Sequence, residues 1–149
     1  MYDKGEGYAP AHGTGSILVL GEALGEYEVK MSQPFCGASG GILGKACALA
    51  GVQRSALVTD NCVRCRPPNN WLVGAPWEAE ALYQCSANWQ RTIELRKPKV
   101  ILALGETAAH ALLDTTEPIR DLAGYVYKTQ WGLVVPYYHP SFILQGNSA

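Results

Sequence analysis

The chain has 149 residues, of which 48% are hydrophobic, and a formal net charge of −1 at pH 7. This length suits one domain with a single core, and the near-neutral charge excludes a protein that binds nucleic acid through its overall charge, so any DNA contact must come from a local patch. No apolar run is long enough to span a membrane, and the polar, glycine-rich N-terminal stretch is not a signal peptide.

The number of cysteines indicates where the protein works. An odd number without a secretion signal argues against a disulfide framework and indicates a reducing setting. We therefore expect a cytoplasmic protein, or one in the interior of a host cell if its source is viral. We also expect a monomer without membrane association. The five cysteines are Cys36, Cys47, Cys62, Cys65 and Cys85.

The first third of the chain predicts a strand, a loop and a helix. Residues 16–20 form a short apolar run, which predicts a buried strand, and glycines mark residues 21–37 as a loop. Residues 39–50 combine small and apolar residues with few charges, which predicts a helix packed closely on a sheet. Gly51 ends that helix.

The middle of the chain repeats this alternation. A second strand is predicted over residues 55–61, and adjacent prolines make residues 65–76 a loop. A long helix is predicted over residues 77–96, ended by a Lys-Pro pair. Residues 99–104 predict a third buried strand, followed by a short helix over residues 106–113.

The last third predicts a hairpin and the start of a helix. Residues 125–128 and 133–138 read as two strands joined around Trp131 and Gly132, and residues 140–144 begin a helix. Strands that alternate with helices and are continuously apolar indicate a mainly parallel sheet covered on both faces. We therefore predict a three-layer α/β/α sandwich with a central sheet of four to five strands.

One domain over residues 1–149 accounts for the pattern, with residues 1–14 flexible. In a parallel sheet, ligands bind beyond the carboxyl ends of the strands. The loops expected there are residues 21–37, residues 61–76, the turn at Gly105 and the segment around His139. Chemically informative residues occur in three of these four loops, which predicts one shared pocket.

Glycines follow the first predicted strand closely, at Gly21, Gly25 and Gly37. Glycine lets a backbone approach a ligand, although a plain glycine-rich turn has the same composition. The spacing GxGxxG is absent, which excludes a dinucleotide-binding fingerprint.

Two polar residues stand at predicted strand ends. The Asn61 amide offers a donor beside an acceptor, which matches the N3–H and O4 edge of uracil, whereas cytosine presents the reverse pattern. His139 precedes a proline, which holds it off helical geometry, so it could donate a hydrogen bond to developing negative charge. Each also has a structural interpretation, as a turn asparagine and as a histidine at a helix start.

Five motifs follow one another along most of the chain, from about Gly15 to Leu144. They are residues 21–28, Pro34-Phe35-x-Gly37, Asn61 with Cys65-Arg66-Pro67-Pro68, residues 102–109, and His139-Pro140-Ser141. In their order and approximate spacing, these motifs resemble the family 4 uracil-DNA glycosylases. The resemblance implies a DNA-repair enzyme that flips uracil out of single- or double-stranded DNA and hydrolyses its N-glycosidic bond, leaving an abasic site.

The resemblance assigns roles to individual residues. Glu22 and His139 correspond to the catalytic residues, one organising the site and its water and the other stabilising charge on uracil O2. The uracil-binding residues are Gly21, Ala23, Glu28, Phe35 and Asn61. Ser141 resembles the loop that meets the DNA backbone, and we add Arg64 and Arg66 as candidate phosphate contacts.

The cysteines depart from the family. Its members hold a 4Fe-4S cluster on four cysteines, and Cys65 and Cys85 match only the second pair. Two ligands are therefore missing, so we predict no cofactor for this chain. Without a cluster, the loop over residues 66–76 should be mobile unless Trp71 and Trp77 pack it down.

Other departures leave alternatives open. The family carries proline where this chain has Leu24, which predicts a less rigid turn, and the resemblance implies that both ends are trimmed, including the C-terminal helix. A glycosylase fold used as a DNA-binding or protein-interaction module, inactive or weakly active and possibly part of a larger or viral protein, is the alternative function. A thiol redox protein built on Cys62-x-x-Cys65 is a weaker one, since no helix start follows to lower a thiol pKa.

Overall fold

The structure, a computed structural model, describes residues 2–146. Its centre is a five-stranded sheet with the order β2-β1-β3-β5-β4. β2, β1, β3 and β5 run parallel, and only β4 is antiparallel to its neighbour. The predicted mainly parallel sheet is thereby confirmed. The strands are β1 (Ile17–Ala23), β2 (Leu57–Val63), β3 (Val100–Leu104), β4 (Tyr127–Thr129) and β5 (Gly132–Tyr137).

Helices connect the parallel strands, as parallel pairing requires. The long α3 leads from β2 to β3, and α4 follows β3 directly. The helices are α1 (Glu26–Met31), α2 (Ala38–Ala50), α3 (Glu78–Arg96), α4 (Glu106–Leu113), α5 (Ile119–Leu122) and α6 (Pro140–Leu144), with 3₁₀ turns at Arg54–Ala56 and Pro68–Asn70.

The two faces of the sheet carry separate halves of the core, because successive side chains of a strand point to opposite faces. Leu18 and Leu20 of β1 pack with Trp89 of α3 and the small residues of α4. Val19, between them, packs on the other face against Leu43 of α2. Helices on both faces give the predicted three layers.

Two helices were missed by the sequence prediction. α1 lies inside the stretch predicted as a loop, and none of its residues is buried, so it left no apolar period to detect. α5 has four residues, too few for a periodic pattern. The other predicted helices and strands are confirmed to within three residues at each end, and α4 matches its predicted bounds.

The segment before β1, predicted to be flexible, runs along β2 and makes backbone hydrogen bonds with it. His12 and Thr59 form an antiparallel bridge, with nitrogen–oxygen distances of 2.9 and 2.8 Å. Glu6 and Arg66 form a second bridge further along, with both distances 2.9 Å. Ala9, between the two bridges, is fully buried. Met1 lies outside the described residues.

No helix within residues 2–146 combines the length and the apolar character needed to cross a bilayer.

Candidate active site

A cleft of about 1000 Å³ opens at the carboxyl ends of the parallel strands. The loops after β1, β2, β3 and β5 all contribute to its wall, as expected for a parallel sheet. It therefore joins residues that are more than one hundred positions apart in sequence. Seven of the residues predicted from sequence line it: Glu22, Ala23, Glu28, Phe35, Asn61, His139 and Ser141.

Glu22 lies near the end of β1, and a residue of α4 forms a hydrogen bond with its carboxylate. The Thr107 hydroxyl, in the first turn of α4, donates a hydrogen bond to Glu22 Oε1 at 2.8 Å. Thr107 is itself buried. Thr107 belongs to the motif over residues 102–109, and its role was not predictable from sequence because its partner lies 85 residues away.

Phe35 and Asn61 meet above Gly21. A Cβ added to Gly21 would lie 2.6 Å from Asn61 Oδ1 and 2.7 Å from Phe35 Cζ, so only glycine leaves room for both side chains. Gly21 is absent from the cleft-lining residues that the structure describes. Gly21, which was predicted to bind uracil, makes space beneath two residues that face the cleft, Phe35 and Asn61.

Glu28 ties together the two ends of the glycine-rich loop. Its carboxylate accepts hydrogen bonds from the backbone N–H of Gly25 at 3.1 Å and of Gly37 at 2.7 Å. The first of these caps α1, and the second joins α1 to the start of α2. Glu28 thus fixes the loop that borders the cleft while also lining it.

His139 stands immediately before α6, and its ring is oriented by the residue two positions later. The backbone N–H of Ser141 donates to His139 Nδ1 at 3.1 Å, and the Ser141 hydroxyl lies 2.9 Å from the same nitrogen. A backbone N–H can only donate, so Nδ1 is the acceptor and Nε2 carries the proton of the neutral ring. His139 lies close to Gly105 in the turn after β3, where φ is +94° and an added Cβ would be 3.2 Å from His139 Cβ.

Burial lowers the pKa of His139, and the charge of Glu28 offsets part of this effect. The neutral imidazole is therefore favoured at neutral pH, in agreement with the hydrogen bond that Nδ1 accepts. The ring lies against Phe35, with ring centroids 5.9 Å apart and planes inclined by 31°. The cleft thus presents a neutral hydrogen-bond donor beside an aromatic face.

Arg64, which was predicted to contact phosphate, is paired within the protein. Its guanidinium pairs with Asp60 through two hydrogen bonds, of 3.0 and 2.9 Å. Asp60 is fully buried, and it also accepts hydrogen bonds from the Thr92 hydroxyl and from the backbone N–H of Asn61. A buried carboxylate needs this pairing, so Arg64 stabilises the end of β2 that carries Asn61.

The other predicted DNA contacts are also occupied within the protein. Arg66 donates to Asn70 Oδ1 at 2.7 Å and lies 3.5 Å from the Glu6 carboxylate. Ser141 lines the cleft, but its N–H is used by His139. Among the described residues no lysine or arginine lines the cleft, whereas four glutamates do.

The cysteines do not form the ligand set that a four-iron cluster requires. Cys65 and Cys85 pack in one small apolar cluster, where the Tyr2 hydroxyl lies 3.8 Å from Cys65 Sγ. Cys62 is buried in the core, and burial raises the pKa of its thiol, which also argues against a redox role. Cys36 Sγ donates to the Gln33 carbonyl.

Four thiolates at one place are the chemistry that a 4Fe-4S cluster needs, and this chain brings two together. Within residues 2–146 no group of three or more His, Cys, Asp or Glu residues is arranged to hold a metal ion. Burial raises the pKa of the Tyr2 hydroxyl and of the Cys65 thiol. The described residues do not fit the cluster.

Direct contacts hold the loop over residues 66–76 instead. Trp71 and Trp77 pack edge to face with ring centroids 5.3 Å apart, and Trp77 Nε1 donates to the Trp71 carbonyl at 2.8 Å. Leu72 between them is buried. Leu24, which stands where proline was expected, donates its backbone N–H to the Cys65 carbonyl at 3.3 Å. Because a proline has no N–H to donate, this substitution adds a tie to the turn.

Comparison with known proteins agrees with these features. A family model described as the uracil DNA glycosylase superfamily matches residues 8–149. Curated relatives named type-4 uracil-DNA glycosylase include one from Sulfurisphaera tokodaii, which is 34% identical over an alignment that covers 94% of this chain. Others are from Archaeoglobus fulgidus, 33% identical over 92% of this chain, and from Thermotoga maritima, 35% identical over 89%.

The chain is shorter than these relatives. It spans 64% of the length of the Sulfurisphaera tokodaii protein, 72% of the Archaeoglobus fulgidus protein and 68% of the Thermotoga maritima protein. The family model's match, over residues 8–149, includes all the described residues that line the cleft.

Proposed function

The chain belongs to the uracil-DNA glycosylase superfamily, among relatives of type 4, and we propose that it is itself a DNA-repair glycosylase that removes uracil from DNA. The observation that carries this proposal is the convergence of Glu22, Phe35, Asn61 and His139 on one cleft. A module that only binds DNA does not need an oriented neutral histidine beside an aromatic ring and a base-reading amide.

His139 supplies the main catalytic effect. Breaking the bond between uracil N1 and the sugar C1′ leaves negative charge on the base, shared with its O2 oxygen. A positioned donor in a water-poor site stabilises such charge strongly. Nδ1 accepts the Ser141 N–H, so Nε2–H is the donor that remains for O2. The lowered pKa keeps that donor neutral, so it holds its proton while the charge develops.

Asn61 and Phe35 select and hold the base. The amide of Asn61 accepts from uracil N3–H and donates to O4, a pattern that cytosine cannot satisfy. Phe35 stacks on the flipped ring and offsets part of the cost of unstacking it from DNA. Their shared contact at Gly21 fixes the distance between the stacking face and the hydrogen-bonding edge.

Glu22 completes the reaction on the sugar side. Departure of uracil leaves a cation-like sugar, and water adds to C1′ as the base takes up a proton. A carboxylate fixed by Thr107 at the rim of the cleft orients that water. Glu28 closes the pocket against larger bases while it holds the glycine-rich loop.

The DNA strand is bound with few ionic contacts. The cleft-lining residues that the structure describes carry four carboxylates and no lysine or arginine. We therefore assign most contacts with the strand to backbone groups and neutral side chains, including those after Ser141. Since few phosphates are neutralised, the affinity for DNA should depend weakly on salt concentration.

We propose that the protein acts as a monomer in the cell interior.

The proposed reaction uses no group held by the cysteines. Cys65 and Cys85 lie behind the loop over residues 66–76, and Trp71 and Trp77 already hold that loop. We propose that this chain functions without an intact iron–sulfur cluster.

A paired substrate assay tests the proposed function. Purified protein is incubated with an oligonucleotide that contains one uracil and with a matched one that contains thymine, each single- and double-stranded. We expect abasic sites at uracil and none at thymine. A folded protein that binds the uracil strand but leaves no abasic site would instead support a binding module on a glycosylase fold.

A further inference from the structure

Phe35 has a backbone conformation that residues other than glycine rarely adopt. Its φ is +54°, in the left-handed region, although it is a bulky aromatic residue. It stands between α1 and α2, and its side chain is only 5% exposed. The surrounding structure must hold such a residue in place.

Two contacts hold the Phe35 carbonyl. Arg54, in the 3₁₀ turn before β2, donates a hydrogen bond from its guanidinium to Phe35 O at 2.8 Å. On the other side, a Cβ added to Gly40 would lie 1.8 Å from the same oxygen, so α2 approaches it as only a glycine allows. The peptide after Phe35 is thus clamped between a charged donor and a helix.

This clamp fixes the Phe35 ring where the base would bind. The ring touches the space above Gly21 that Asn61 Oδ1 also occupies, and it lies against His139. A change in the Phe35 backbone would therefore move the stacking face relative to both residues that contact uracil in the proposed function.

We infer that Arg54 is a positioning residue for base recognition, acting through the Phe35 backbone. This inference rests on the proposed uracil-excision function. Among the described residues that line the cleft Arg54 is absent, so it acts without touching the base. Arg54 is also exposed, so its removal empties no core site, and a role in recognition can be separated from one in folding.

The test compares Arg54→Ala with Phe35→Ala and with the double variant. KM for a uracil oligonucleotide and inhibition by free uracil are measured, with Arg96→Ala, an exposed arginine at the end of α3, as the control. We expect Arg54→Ala to raise KM and weaken uracil inhibition about fivefold or more, with a smaller change in kcat, as loss of a stacking contact does. In the Phe35→Ala background the same change should have no further effect.

An Arg54→Ala protein with native KM and native uracil inhibition would overturn the inference, as would an equal effect with and without Phe35. If Arg54→Ala lowers the melting temperature, Arg54→Gln, which keeps a donor, should restore both stability and KM. Absence of excision by the wild-type protein would contradict the proposed function instead. Binding of free uracil, followed by NMR, then decides on Arg54: weaker binding by the variant supports the inference, while equal binding, or none by either protein, overturns it.

Discussion

The base-reading end of the cleft and the cysteine corner beside it differ in how closely they match the resemblance to family 4. The base-reading end, formed by Glu22, Phe35, Asn61 and His139, carries the residue types that the resemblance implies for the active site. The cysteine corner, formed by Tyr2, Cys65, Cys85 and the loop over residues 66–76, carries two cysteines where the resemblance implies four cluster ligands.

The difference distinguishes residues that act on the base from contacts that hold a loop in position. In the proposed function, the residues at the base-reading end present particular atoms to a base, so we expect few substitutions to be tolerated there. The loop at the cysteine corner needs only to be kept in position. Three kinds of contact do this: a tryptophan pair, a backbone bridge between Glu6 and Arg66, and the hydrogen bond from the Leu24 N–H. Many combinations of contacts can meet that requirement. The comparison predicts large effects on rate at one end and small ones at the other.

The largest effect is expected at His139. His139→Ala removes the donor to uracil O2 and should lower the single-turnover excision rate about 100-fold or more. His12→Ala, which changes a histidine outside the cleft, is the matched control and should retain the native rate. An unchanged rate in the His139 variant would refute the role assigned to it.

Base selection at Asn61 should be the next largest effect. Asn61→Asp places a carboxylate against uracil O4, where no donor remains, and should reduce uracil excision about tenfold to hundredfold. The measurement is kcat/KM on uracil oligonucleotides, with Asn69→Asp in the exposed loop as the control. Native kcat/KM in the Asn61 variant would show that the base-reading edge lies elsewhere in the cleft.

A smaller effect at the same end tests the carboxylate. Thr107→Val keeps the shape of the side chain but removes the hydrogen bond to Glu22, which should lower kcat about threefold to tenfold. Thr107→Ser restores the hydroxyl and should recover most of the rate. If the serine and valine variants are equally slow, Thr107 contributes through packing and Glu22 is held by other contacts.

The smallest effect is expected at the cysteine corner. Replacement of Cys65 and Cys85 together by serine removes two half-buried thiols that bind no group in the proposed function, and the excision rate should change by about twofold or less. Loss of activity in the double serine variant would mean that the corner holds a functional group.

A substitution at a core cysteine should affect stability. Cys62→Ser buries a hydroxyl in the core and should lower the free energy of unfolding by about 1–3 kcal/mol, measured by denaturant unfolding.

The fold was largely predictable because its strands are buried on both faces. Residues 17–20 of β1 and 100–104 of β3 form apolar runs, and glycine or proline lies close to both ends of each run. α1 was not predictable, since an exposed six-residue helix has no apolar face. The position of the site followed from the rule for parallel sheets, which needs only the strand order.

The structure brings seven of the predicted site residues to one cleft, whereas the contacts that connect them could not be predicted from sequence. Arg64 looked like a basic loop residue, yet the buried Asp60 four positions earlier and the distant Thr92 bind its guanidinium. The contacts of Thr107 with Glu22 and of Arg54 with Phe35 join segments that only the folded chain brings together. Sequence shows which chemical groups are present, whereas such long-range pairs depend on tertiary packing.

The most direct test of the account measures excision and iron in one sample. The chain is purified anaerobically, its iron content and its absorption near about 400 nm are recorded, and single-turnover excision is followed on a uracil oligonucleotide. The account predicts abasic sites at uracil from protein that has neither iron nor that absorption. About four irons per chain, or folded iron-free protein that leaves uracil in place, would contradict it.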